Sequence, residues 1–150
     1  MTMSKPLFAN SPRHIKNRSA NPSVTLELVD DVCAVHNPRS EPEIVERSSV
    51  IEDAATLGPV YALGPSGGRA IPTGQVLVRF KAGVKPSDRE GDIRGAGYEI
   101  DEVLRYAPEA AWLRSRSGDI VEALSGIEKL ERLPDVENVE PQMLMAKMSR

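Results

Sequence analysis

The sequence predicts an α+β protein in which an antiparallel β-sheet carries two helices on one face, preceded by a β-rich extension. Two observations predict this fold class. Apolar and polar residues alternate in several short segments, as they do in half-buried strands. In the C-terminal half, two stretches with helix-start signals interrupt these segments. Aromatic residues make up only 4% of the chain, so the predicted core is aliphatic.

The N-terminal half is predicted to contain a flexible basic arm and a β-rich accessory region. Residues 1–22 are polar, interrupted by prolines and free of acidic residues, which is typical of a disordered arm. The accessory region, residues 23–73, contains three strand-like segments. They are residues 23–29, 32–36 and 59–63. Asp30 and Asp31 are expected to turn the chain after the first segment, and the glycine-rich residues 64–69 to close a hairpin.

The C-terminal domain is predicted to span residues 74–141 and to begin with a strand and a weak helix. The first strand, residues 75–81, places three apolar side chains on one face. These are Val76, Val78 and Phe80. Residues 85–90 resemble a helix entrance, with a polar cap followed by acidic residues in the first turn. Gly97 is expected to end this helix.

The remainder of the domain is predicted to add two strands, a stronger helix and a closing strand. The two strands are residues 98–106 and 110–116, joined by a turn at residues 107–109. Asp119 is expected to cap the second helix, with Glu122 completing a capping box. An apolar stripe at helical spacing follows, made of Ile120, Leu124, Ile127 and Leu130. The closing strand is residues 136–139.

The element order of this domain is therefore strand-helix-strand-strand-helix-strand. Two β-α-β units of this kind close most simply as a ferredoxin-like sandwich, with an antiparallel sheet and two helices on one face. Because this fold hosts many unrelated functions, the fold alone does not indicate one.

Composition argues against several classes of partner and cofactor. The formal net charge of -3 gives no electrostatic reason to expect nucleic acid or an anionic membrane surface. No apolar run is long enough to span a bilayer, and no secretory signal is recognisable, so a cytoplasmic location is expected. The single cysteine, Cys33, excludes an internal disulfide and a cysteine-based zinc site. Neither a metal nor a cofactor is expected.

The histidines do not predict a catalytic site. There are two, His14 in the arm and His36 at a strand end. His36 together with Asp30 or Asp31 and a serine would supply the residue types of a triad, but no nucleophile elbow or oxyanion loop accompanies them. We therefore expect a structural or solvated histidine and a chain that is not itself an enzyme.

Two motifs lie at opposite ends of the C-terminal domain. Residues 72–84 are PTGQVLVRFKAGV, and residues 133–141 are LPDVENVEP. In this order and at this separation they resemble the opening and closing strands of the propeptides of subtilisin-like serine proteases. The resemblance covers about residues 59–147. It departs from the family in the first helix, which Gly91 and Gly95 weaken.

The resemblance implies an inhibitor and folding chaperone of such a protease, acting in trans or within the same precursor. Propeptides of this family dock their sheet on the protease and lay the C-terminal tail through its active-site cleft as a product-like strand. The corresponding tail is residues 142–150. Its expected cleft-binding residues are Met143, Leu144, Met145, Ala146, Lys147, Met148, Ser149 and Arg150. Glu137 and Glu140 are expected either to meet the N-termini of protease helices or to be ordinary solvated charges.

Two registers of the tail in the cleft remain open. Either Arg150 fills the primary pocket with Lys147 upstream, or Met148 fills it with Met145 upstream. The second register suits apolar pockets better. The methionine-rich tail could also pack as a terminal strand or serve as an adaptable partner surface. The alternative function is a ferredoxin-like interaction or adaptor module that inhibits nothing.

Overall fold

The computed structural model describes residues 11–17, 24–36, 42–46, 57–63 and 68–145. These residues form ten β-strands and three α-helices, and their strand pairings are antiparallel wherever a register is defined. The α+β fold class is thus confirmed. The chain divides into two compact units. The N-terminal unit comprises Met1–Pro72 with Met143–Arg150, and the C-terminal unit comprises Thr73–Gln142.

Four strands of the N-terminal unit form an antiparallel sheet in the order β1-β2-β6-β7. They are β1 (His14–Asn17), β2 (Val24–Leu28), β6 (Tyr61–Leu63) and β7 (Arg69–Phe80). Tyr61 of β6 lies opposite Ala70 of β7, so these strands pair as the predicted hairpin requires. Residues 64–67 of the connecting loop lie outside the described residues. β7 continues past Pro72 into the C-terminal unit.

A second antiparallel sheet of the same unit has the order β4-β3-β5. Its strands are β4 (Glu43–Glu46), β3 (Val32–Val35) and β5 (Leu57–Gly58). The apolar segment around Cys33 is buried, as expected for a small hydrophobe. The Asp30–Asp31 turn joins β2 to β3, but these strands belong to different sheets. The turn therefore connects two sheets and does not close a hairpin.

The prediction of a flexible arm is wrong for residues 14–17, because this segment is strand β1 and pairs with β2. The residues just before it are anchored as well. Ser11 Oγ lies 2.8 Å from the Tyr61 hydroxyl, and that hydroxyl donates to the Pro12 carbonyl at 2.6 Å. Arg13 forms an ion pair with Asp30. These partners lie far along the chain, so local polar composition gives no indication of them.

The sheet of the C-terminal unit has the order β10-β7-β9-β8. The strands added to β7 are β8 (Tyr98–Val103), β9 (Ala110–Ser115) and β10 (Val136–Met145). The predicted alternation in β7 is confirmed, because Val76, Val78 and Phe80 are all buried. They pack in one core cluster with Ala111 and Leu113 of β9.

The helices of this unit cover the same face of the sheet. A 3-10 turn (Pro86–Arg89) precedes α1 (Glu90–Gly95), and the second helical region contains α2 (Ile120–Ser125) and α3 (Ile127–Glu131). Each α-helix contributes one fully buried side chain to the core cluster of the sheet. These side chains are Ile93, Ala123 and Leu130. Gly97 has φ +96°, which explains why glycine ends the first helical region.

Several predicted element boundaries are wrong. The strand predicted over residues 98–106 is Tyr98–Val103 in the structure. β7 begins at Arg69 instead of residue 75; Gly74, with φ +96°, lies inside the strand and not before it. The single predicted helix after Asp119 is divided into α2 and α3 at Gly126. The closing strand continues past residue 139 to Met145, so it includes the first part of the predicted tail.

The helix caps agree with the sequence only in part. Asp119 is the N-cap of α2, because its Oδ1 accepts from the Val121 N–H at 3.0 Å. Glu122 does not complete the capping box. Instead Ser117 Oγ accepts from the Asp119 N–H at 3.1 Å and donates to the Glu122 carboxylate. At Lys85, the entrance to the 3-10 turn, no side chain caps the backbone.

Candidate functional site

The sheet of the C-terminal unit has a second face, which points away from its core. Ala111 and Leu113 belong to the core, so Trp112 between them points to the opposite side. Leu77 lies directly opposite Trp112 on β7, and both are half-buried. This second face, termed the outer face, is made of Gln75, Leu77, Arg79, Trp112 and Arg114 with the facing residues of β8 and β10.

One end of the outer face is covered by paired polar side chains. Arg114 Nε donates to Glu99 Oε1 at 2.7 Å, and Gln75 Nε2 donates to Asp101 Oδ2 at 2.6 Å. Both pairs are exposed, so they contribute little to stability but fix the side chains around an apolar centre. An apolar centre with a polar rim is the usual composition of a protein-binding surface.

The other end of the outer face holds a pocket of about 180 Å³. Its lining residues are Arg79, Phe80, Ala82, Ala107, Glu109, Ala110 and Glu137. The strand order brings the lining residues together, because β7 lies between β10 and β9 and Arg79 lies opposite Ala110 of β9. The Phe80 N–H donates to the Glu109 carbonyl at 2.9 Å and fixes the turn against β7. Across the described part of the chain, no ion pair involves the three charged residues.

The first residues of the predicted inhibitory tail lie in strand β10 and are extended. Gln142 Oε1 accepts a hydrogen bond from Thr73 Oγ1 at 2.8 Å. Met143 is half-buried, whereas Leu144 is 41% exposed and Met145 is 56% exposed. The remaining predicted cleft residues, 146–150, lie outside the described residues.

The two glutamates predicted to contact protease helices differ in environment. Glu137 is exposed and lines the pocket. Glu140 is half-buried, and its Oε1 is shielded from solvent without a hydrogen-bond partner among the described residues. A shielded acceptor without a partner is costly. Because solvent does not reach Glu140 Oε1, an N–H donor of another molecule reaches it only after the side chain turns outward, whereas the exposed Glu137 is already open to such a donor.

The histidines and acidic residues form no arrangement typical of catalysis. His36 is half-buried, burial lowers its pKa, and its Nε2 lacks a hydrogen-bond partner in the described part of the chain. His14 lies 3.5 Å from Glu27 at the surface. Over the residues that the structure describes, no group of His, Cys, Asp and Glu is placed to hold a metal ion. None of the helices described is long and apolar enough to cross a bilayer.

Two features of the outer face and its surroundings are not apparent from the sequence patterns. One is the pocket, since Arg79 and Glu109 were assigned only to a strand and a turn. The sequence does indicate part of it, because the alternation of β7 places Arg79 on the face of the strand that points away from the core. The other is Tyr106, which is 85% exposed at the turn between β8 and β9. A large side chain so exposed in a short turn is a recognisable signal for partner contact.

No protein-family model matches this chain, and comparison with curated proteins and with solved structures finds no match. The features that bear on function are therefore the two motifs, strand β10, the outer face and the pocket.

Proposed function

We propose that this chain is a propeptide-like inhibitor and folding chaperone of a subtilisin-like serine protease, and not itself an enzyme. One observation carries the proposal: β10 joins the closing motif to the tail in a single extended strand, Val136–Met145. An inhibitor that acts as a bound product must present its tail in this conformation. The opening motif lies in β7, which pairs with β10.

The proposal includes a ferredoxin-like fold for the C-terminal unit. The four strands of this unit in chain order are β7, β8, β9 and β10. In the sheet, β10 lies beside β7, and β9 lies between β7 and β8. The helical regions follow the first and third strands and share one face of the sheet. Both features support two interleaved β-α-β units.

In the proposed complex, residues 143–150 lie in the protease cleft and pair with its strands. Main-chain hydrogen bonds provide affinity, and alternate side chains enter pockets. Exposed Met145 supports the register in which it fills the upstream pocket and Met148 fills the primary pocket. In the other register, the cationic residues Lys147 and Arg150 take these two positions.

The outer face is the proposed docking surface for the body of the protease. Leu77 and Trp112 supply its apolar centre. Glu140 and Glu137, on β10, are placed to accept from the unpaired N–H groups at helix N-termini of the protease, where the helix dipole favours negative charge. Glu137 is exposed, whereas Glu140 Oε1 is shielded and lacks a partner among the described residues, so the Glu140 side chain turns outward to make this contact.

The test is inhibition of a purified subtilisin-like protease, measured as the inhibition constant against a chromogenic peptide substrate. The full chain should inhibit and should also raise the activity recovered when the denatured mature protease is refolded. A variant lacking residues 146–150 keeps all of β10, so it should remain folded but lose most of the inhibition. Circular dichroism checks the fold of the truncated chain.

Glu140→Gln should weaken inhibition by up to about tenfold if the carboxylate meets a helix N-terminus. Glu128→Gln is the matched control, because Glu128 is exposed on α3, in the helical layer. Mass measurement of the tail after incubation decides the register: cleavage after Met148 supports the proposed register and excludes that with Arg150 in the primary pocket. Absence of inhibition by the intact chain would reject the proposed function.

The adaptor alternative retains one specific observation, the exposed Tyr106 at the turn between β8 and β9. An aromatic side chain in this position is suited to a protein partner whether or not a protease is bound. If the chain fails to inhibit but Tyr106→Ala abolishes its capture of a partner, the adaptor function replaces the inhibitor.

A further inference from the structure

The pocket at the end of the outer face is large enough for a side chain and has more carboxylates than cations in its lining. Small side chains, Ala82, Ala107 and Ala110, leave the space, and buried Phe80 forms part of the wall. A volume of about 180 Å³ is suited to a single side chain and is smaller than the usual site for a drug-sized ligand.

The formal charge of the pocket is negative. Glu109 and Glu137 supply two carboxylates and Arg79 supplies one guanidinium. If Arg79 pairs with either glutamate, the other carboxylate still lacks a partner. Lysine and arginine are the side chains whose single positive charge complements what remains.

The surroundings of the pocket favour a protein as the source of that charge. The turn between β8 and β9 holds its shape through backbone hydrogen bonds, from Leu104 N–H to the Ala110 carbonyl at 3.1 Å and from Ala110 N–H to the Ala107 carbonyl at 2.9 Å. It carries Tyr106, 85% exposed, and follows Val103, 39% exposed. An exposed aromatic side chain beside a pocket is typical of protein interfaces.

We propose that this pocket binds a lysine or arginine side chain of a partner protein, with Glu109 and Glu137 contacting the cation and the turn at Tyr106 contacting the surface around it. The site does not include the inhibitory tail, although it shares Glu137 and the outer face with the proposed protease-docking surface. It does not require that the partner be a protease, so it can be tested without one.

The experiment is an NMR titration of the ¹⁵N-labelled full chain with Nα-acetyl-L-lysine N-methylamide. Saturable shifts are expected in the amides of residues 79–82, 107, 109, 110 and 137. Two probes serve as controls: the norleucine analogue retains the alkyl chain without the ammonium, and the glutamate analogue reverses the charge. Neither should shift these amides comparably.

Charge variants then test the assignment of the two carboxylates. Glu109→Gln and Glu137→Gln should each weaken lysine-probe binding by roughly fivefold, the size expected of a partly exposed ion pair. Arg79→Gln should strengthen it, because a competing cation is removed. Glu128→Gln, outside the pocket, should change nothing, and the spectrum of each variant reports whether it is folded.

Three outcomes would overturn the proposal. They are the absence of saturable shifts with the lysine probe, equal binding of the norleucine probe, and unchanged binding in the folded Glu109→Gln and Glu137→Gln variants. A negative NMR titration would not affect the result of the protease inhibition assay, and a negative inhibition assay would not affect the titration. The two proposals can therefore fail separately.

Discussion

The hydroxyl of Tyr98 occupies the space that a side chain at position 126 would need. Tyr98 is buried and donates a hydrogen bond to the Ala123 carbonyl of α2. A Cβ atom added to Gly126 would lie 2.6 Å from that hydroxyl oxygen and 2.9 Å from ring atom Cε1. This close approach explains why the residue between α2 and α3 is a glycine.

Gly126→Ala should destabilise the protein by about 1–3 kcal/mol, the usual cost of overpacking a core. The free energy of unfolding from urea denaturation measures the effect. Gly91→Ala in α1 is the control, because a Cβ there meets nothing within 4 Å; it should be neutral or stabilising by up to about 1 kcal/mol. Equal effects of the two substitutions would contradict the role given to Tyr98.

Asp119 should contribute to stability chiefly through its cap. Asp119→Ala removes the Oδ1 acceptor of the Val121 N–H and should cost about 1 kcal/mol. Asp119→Asn keeps an acceptor and should cost only a few tenths of a kcal/mol. Urea denaturation of the two variants gives the comparison, and similar losses would show that the charge matters more than the hydrogen bond.

Features set by neighbouring residues could be predicted from the sequence. Asp119 was recognised as a cap because a cap is a local hydrogen bond, and the core face of β7 because alternation in a strand is local. The need for glycine at position 126 could not be recognised, since it depends on Tyr98, which comes from a strand distant in sequence. The apolar stripe through Ile127 instead favoured one continuous helix.

The candidate site was predictable only where it follows one strand. The tail and Glu137 are expected from the closing motif, but the length of β10 depends on its pairing with β7 and not on its own polarity. The pocket needs Arg79, Glu109 and Glu137 side by side, which only the strand order provides. Individually, each is an ordinary charged residue at a strand or turn.

Stability should decline at high pH because of Tyr61. Burial raises the pKa of Tyr61 from its ordinary 10.0 to about 12, so the folded chain holds this proton more tightly than the unfolded chain. The resulting stabilisation is complete below pH 10 and is lost as the pH rises from 10 to about 12. Urea midpoints at increasing pH measure the decline.

Tyr61→Phe should reduce this decline, although the variant also loses the hydrogen bond to the Pro12 carbonyl and starts from a lower stability. Some decline should remain, because burial also raises the pKa of Tyr98. Tyr106→Phe, at an exposed position, should leave the decline unchanged. A wild-type slope in Tyr61→Phe would show that Tyr61 does not cause the decline.

Asp135 should stabilise the turn before β10 in two separable ways. Its backbone has φ +65°, a left-handed conformation that aspartate and asparagine tolerate better than most residues. Its Oδ2 lies 2.5 Å from Arg89 Nη2, which ties the turn to the 3-10 segment. Asp135→Asn removes the charge and keeps the tolerance, so it should cost about 0.5–1 kcal/mol for a partly exposed pair.

Asp135→Ala should cost about 1 kcal/mol more than Asp135→Asn, because alanine also bears the strain of the left-handed backbone. Asp135→Gly lacks the ion pair just as Asp135→Ala does, but glycine adopts the left-handed backbone without strain. The glycine variant should therefore be more stable than the alanine variant. Asp92→Ala in α1, exposed and helical, is the control and should change stability little. In urea denaturation, the free energy of unfolding should be highest with aspartate at position 135, lower with asparagine or glycine, and lowest with alanine. If the alanine and asparagine variants are equally stable, Asp135 stabilises the turn through the ion pair alone.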